Sequence, residues 1–121
     1  MNRILLLSLW LLTACNKQQI YSKEGLLKLA QESDPSVTVI LPRSMTEGVH
    51  CTDYPVGCMS AHIVRVKGLD MIAVEFASEE EAIFAARKVR GYYLRNWLLD
   101  DVMGEPILVK FVTEKLKAKL P

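Results

Sequence analysis

The sequence predicts an α+β fold, a small antiparallel sheet with helices on one face. Three observations carry that reading. The runs His62 to Lys67 and Met71 to Phe76 are strand-like and are separated only by Gly68-Leu69-Asp70, which suits an antiparallel hairpin with glycine in the strained position. Ser78 stands three residues before Glu81, the spacing at which a hydroxyl and a carboxylate each satisfy a backbone N–H of a first helical turn. Pro106 suits a first helical position, and Leu108, Val112, Leu116 and Leu120 recur on one face behind it, with Phe111 beside them.

Taken in order, Ser22 caps a helix over about Lys23 to Glu32, whose apolar side is Leu26, Leu27, Leu29 and Ala30 and which Ser33-Asp34-Pro35 ends. Val37 to Leu41, a β-branched run closed by Pro42, reads as a buried strand. Arg43 to Ala61 is polar and aperiodic, a long loop. After the hairpin, Glu79, Glu80 and Glu81 lie at the positive end of the next helix and Arg87, Lys88 and Arg90 at its negative end. Ala82, Ala86, Val89 and Tyr93 form its inward stripe, with Gly91 an end or weak point. Asn96 to Val102 reads as a further strand, although its WLLDD core also suits a helix. The closing helix from Pro106 has a strand over Ile107 to Val112 as its rival.

The first fifteen residues concern location. A charged start, Met1-Asn2-Arg3, leads through the apolar run Ile4 to Leu12, which matches the core of a secretory signal. Nine residues fall well short of the ~20 that a spanning helix needs. Leu12-Thr13-Ala14-Cys15 resembles the lipobox of bacterial lipoproteins at all four positions: an aliphatic residue, a small residue, then Gly, Ala or Ser before the cysteine. That resemblance implies cleavage before Cys15, its lipidation, and a membrane anchor made of acyl chains. An ordinary secretory signal, or a buried helix of a cytosolic domain, leaves the cysteine unexplained. Asn16 follows, not the Asp that marks inner-membrane retention in some bacterial lipoproteins, which favours the outer membrane with the domain facing the periplasm. The expected organisation is a signal peptide over 1–14, a lipidated tether over 15–21 and one α+β domain over 22–121.

Removing residues 1–14 leaves 107, enough for one modest core. The loss of Arg3 brings Lys plus Arg from 15 to 14, level with the 14 Asp plus Glu. A balanced charge supplies no general field toward nucleic acid, and partners must be recognised locally. Lys110 to Lys119 is the one basic cluster, interrupted by Glu114. With Cys15 committed to lipid, Cys51 and Cys58 remain, and an even pair in an exported protein favours a disulfide.

Lys67-Gly68, followed by Met71-Ile72-Ala73-Val74-Glu75-Phe76 and Ser78-Glu79-Glu80-Glu81-Ala82, resembles the third strand and second helix of the RNA-recognition-motif fold. The resemblance implies a ferredoxin-like split βαβ topology. It does not carry RNA binding, because that family stacks bases on aromatic side chains where this chain has Met71 and Ala73.

The densest chemistry lies between His50 and His62. Cys51 and Cys58 close an eight-residue loop as a disulfide; alternatively, His50, Cys51, Cys58 and His62, with Met59 near, bind zinc or copper. Six residues between the cysteines exceed the two to four usual for structural zinc, which favours the disulfide and no metal. The pair Asp100-Asp101 reads as a solvated turn or cap, and the chain lacks a phosphate loop, a nucleophile elbow and a His-Glu-x-x-His helix, so no catalytic residue and no cofactor is assigned. Tyr92, Arg95 and Trp97, in an arginine-rich aromatic segment, are the candidate surface for an envelope protein partner, with a core role for Trp97 and one tyrosine as the rival.

Overall fold

The computed structural model describes residues 20–44 and 46–121. The expected signal peptide over 1–14, the expected lipidation residue Cys15 and most of the expected tether, through residue 19, lie outside the described residues. Ser22 opens α1 (Lys23–Ser33), its Oγ accepting the Gly25 N–H at 3.0 Å, and the helix buries Leu26 and Ala30. β1 (Thr38–Ile40) is shorter than the Val37 to Leu41 run and is not the buried strand expected. It lies at the sheet edge and pairs only with β2; Val37 is buried, whereas Leu41 is 82% exposed.

β2 (Cys58–Val66) starts inside the segment read as loop, four residues ahead of His62. The reason is a β-bulge: Cys58 pairs with Phe76 and Ser60 with Glu75, leaving Met59 as the extra residue and shifting the alternation by one. β3 (Leu69–Phe76) follows through a turn of two residues, not three, since Val66 pairs directly with Leu69. Both turn residues have positive φ, Lys67 at 52° and Gly68 at 80°, matching the right-handed twist of the strands.

α2 (Glu79–Val89) begins with half of the expected capping box: Ser78 Oγ accepts the Glu81 N–H at 3.2 Å, but the Glu81 carboxylate accepts from the Ser78 hydroxyl and not from its backbone N–H; the helix ends at Arg90 in a left-handed conformation. Tyr93, expected on the helical stripe, belongs instead to β4 (Tyr92–Leu94). Gly91 sets that early stop: a Cβ there would lie 2.7 Å from Leu98 Cδ1 and 2.8 Å from the Leu99 carbonyl oxygen. The helix end therefore drops directly against β5 (Trp97–Asp100). α3 (Pro106–Lys110) and a wider helical turn over Phe111–Lys115 form the closing helix, so the rival strand is absent there. Leu108, Val112 and Leu116 are buried as the pattern requires, but Leu120 is exposed, because Lys117 takes φ 64° and the chain leaves the helix to bridge Lys119 to Tyr93.

The fold is α+β, with a five-stranded antiparallel sheet in the order β1-β2-β3-β5-β4. β3, α2 and β4 with β5 inserted between the two strands make one split βαβ unit. The helices do not share a face. β3 is apolar on both sides, Met71 and Ala73 one way and Val74 and Phe76 the other, so each face requires its own cover. α1 and residues 108–118 pack over Met71, Ala73, Trp97 and Leu99; α2 packs over Val74, Phe76 and Leu98. The face resembling an RNA platform is thus covered. No helix among the described residues is long and apolar enough to cross a membrane.

Candidate binding surface

On the α2 face, Cys51 and Cys58 are disulfide-bonded with their Cα atoms 5.4 Å apart. By loop-closure entropy such an eight-residue ring is worth about 2.5 kcal/mol. The ring lays Tyr54 against the α2 core, where its hydroxyl donates to Asp100 Oδ2 at 2.7 Å. Burial, the hydrogen bond and the carboxylates of Asp100, Asp101 and Asp53 push the phenol well above its ordinary range. Gly57 lies under the Glu81 carboxylate at φ 106°, a backbone conformation that strains any residue with a Cβ. The two aspartates diverge. Asp100 holds Tyr54, whereas Asp101 sits exposed on a left-handed turn, its pKa raised by partial burial and by its neighbour.

His62 lies on the other face. Ser60 Oγ donates to Glu75 Oε1 at 2.9 Å, lies 3.0 Å from His62 Nε2, and the imidazole is 6.1 Å from the Trp97 ring. Partial burial, reinforced by Lys23, lowers the His62 pKa against the opposing pull of Glu75. With the hydroxyl proton on Glu75, the imidazole is a donor to the serine, an arrangement that orients the three groups and does not raise the serine's nucleophilicity. The sequence pattern hid this chain because the bulge at Met59 conceals that positions 60, 62 and 75 share a face. The candidate metal set is not brought together: the sulfurs are bonded to each other, and Cys58 packs on the α2 side while His62 faces α1. Among the described residues no three His, Cys, Asp or Glu side chains converge as metal ligands.

The third location is where the chain enters the fold. Asn96, 2% exposed, accepts the Tyr21 N–H at 2.6 Å and donates to the Tyr21 and Phe76 carbonyls at 3.2 and 3.0 Å; Trp97 Nε1 donates to the Tyr21 carbonyl at 2.9 Å. Arg95 stacks over the Tyr21 ring at 4.6 Å. Tyr92 and Trp97, expected on a partner surface, are buried at 7% and 1% exposure, since both point from their strands into the α1-side core; of the three only Arg95 reaches the surface. Beside Tyr21 opens a groove of about 410 Å³ whose charged walls are Arg95, Lys115, Lys117, Lys119 and Glu79. Leu116 and Ala118 point inward while Lys115, Lys117 and Lys119 point out, and reciprocal backbone hydrogen bonds between Lys119 and Tyr93 hold the segment to β4. The sequence signal was the alternation of lysine with small or apolar residues over 115–119.

Compared with known proteins, the chain matches no family model, no curated protein and no solved structure.

Proposed function

We propose that the chain is an exported bacterial lipoprotein, anchored through acyl chains on Cys15, whose α+β domain is a non-catalytic binding or structural module of the cell envelope. The Cys51–Cys58 disulfide is the observation that carries the reading. With Cys15 assigned to lipid, it uses up the three cysteines of the chain, and disulfides persist in oxidising compartments such as the periplasm. The lipobox-like Leu12-Thr13-Ala14-Cys15 supplies the anchor, and Asn16 favours the outer membrane, with the domain facing the periplasm. Acyl chains contribute about 0.8 kcal/mol per buried methylene, and more than one makes the attachment stable without a spanning helix. The partner is an envelope protein. Cells expressing the chain and fed labelled palmitate will label it, and a Cys15→Ser chain will stay unlabelled. Label on both chains, or on neither, would overturn the lipoprotein reading; crosslinking that captures no discrete envelope protein would overturn the partner.

A further inference from the structure

We propose that the basic groove beside Tyr21 is a seat for anionic phospholipid headgroups, holding the domain face-down on the membrane; that it meets a membrane rests on the lipoprotein reading. The first reason is charge. Four cations, Arg95, Lys115, Lys117 and Lys119, line the groove against one carboxylate, Glu79, in a chain whose residues 15–121 are formally neutral. The second is construction. Lys117 and Arg95 both sit in left-handed backbone, φ 64° and 53°, a conformation that disfavours side chains with a Cβ by about 1–2 kcal/mol. The fold tolerates that cost at two of the four groove cations, and the Lys119–Tyr93 pairing fixes a third. The third is reach. Tyr21 lines the groove and is pinned by Asn96 and Trp97, and six peptide steps separate it from Cys15, at most about 20 Å of chain. With Cys15 in the bilayer the groove cannot stand far from the headgroups. The arginine stacked on Tyr21 adds an aromatic and a cation suited to that interface.

The experiment uses the full chain carrying Cys15→Ser, which cannot be acylated, so its outcome is independent of whether cells lipidate the protein. Partitioning is measured into vesicles of phosphatidylcholine alone and of phosphatidylcholine with phosphatidylglycerol; the segment before residue 15, with Arg3, is common to every variant, so the differences between variants report the groove. The anionic vesicles are expected to be preferred. Lys115→Gln, Lys117→Gln and Lys119→Gln together should lower that preference on the order of a hundredfold, taking about 1 kcal/mol per basic residue near an anionic surface. Lys28→Gln, Lys88→Gln and Lys110→Gln, which neutralise as many charges outside the groove, should preserve most of it. Raising salt should erase the preference in the unsubstituted chain without any risk of misfolding. Equal partitioning into both vesicles, or an equal loss in the second triple variant, would overturn the proposal. So would inorganic phosphate shifting the Lys117 and Lys119 amide resonances with no vesicle preference, which would assign the groove to a soluble phosphate.

Discussion

The two faces of the sheet are covered by different means. On the α2 side a single helix of small residues, Ala82, Ala85 and Ala86, lies on Val74, Phe76 and Leu98, and a disulfide ring presses Tyr54 against the same core. The helix follows β3 directly and the ring closes over eight residues, although Tyr54 reaches Asp100 across 46. On the α1 side the cover is assembled from α1 and from residues 108–118, which lie far apart in the chain. Tyr21 is tied to Asn96 and Trp97 across separations of 75 and 76 residues. One face is closed by a covalent ring and the helix that follows its own strand, the other by segments from opposite ends of the described chain, and it is the second that carries the groove and the entry of the chain.

The comparison breaks most readily at Asn96. Asn96→Ala orphans the Tyr21 N–H and the Phe76 carbonyl in a buried place, and should destabilise the fold by about 3 kcal/mol in urea unfolding, with amide exchange at Tyr21 accelerating most. An effect within the range of an ordinary surface substitution would mean that the α1 side does not depend on this tie. Replacing Cys51 and Cys58 by serine should cost somewhat less, about 2.5 kcal/mol, and should loosen the Tyr54–Asp100 contact while leaving the groove intact. Chemical shifts of Lys117 and Lys119 unchanged by that pair of substitutions would confirm that the faces are independent.

The caps offer a finer comparison. Ser22→Ala and Ser78→Ala each remove one acceptor at a helix start and should cost about 1 kcal/mol. The second should be the larger, because Ser78 also hydrogen-bonds the Glu81 carboxylate. The smallest effect is that of pH on His62. Its pKa in the fold lies below 6.5, so under acid the unfolded chain takes up a proton that the folded chain resists. The His62 contribution is therefore complete above pH 6.5 and is lost as the pH falls below it. Urea midpoints measured on either side of that value should diverge in the parent chain and converge in His62→Gln.

Local chemistry was legible in the chain wherever a device lies within a few residues of what it acts upon. Ser22, Ser78, Pro106 and the Cys51–Cys58 pair each specify an arrangement over fewer than ten residues, and each stands as read; of the Ser78–Glu81 box only the serine cap forms. β4 was hidden because three residues are too few for a period of two, while Tyr93 falls by coincidence on the helical period of α2. The start of β2 was hidden by a bulge. The apolar character of β3 on both sides was present in the sequence, but it demands two covers only once β3 is known to be central, between β2 and β5. Tyr92 and Trp97 illustrate the same limit: their composition suits an interface, and only their strand parity sends them to the core. The groove depends on a contact between Tyr93 and Lys119 that no local pattern announces.

In the proposed lipoprotein, Cys15 carries the anchor while Cys51 and Cys58 hold each other. An intact mass of the protein extracted from native membranes tests all of this at once. It should match a chain beginning at Cys15, increased by a diacylglyceryl group and any N-terminal acyl chain, and lacking the hydrogens of one disulfide. A mass without lipid, or one that retains residues before Cys15, would show that Cys15 is not a lipidated N-terminus.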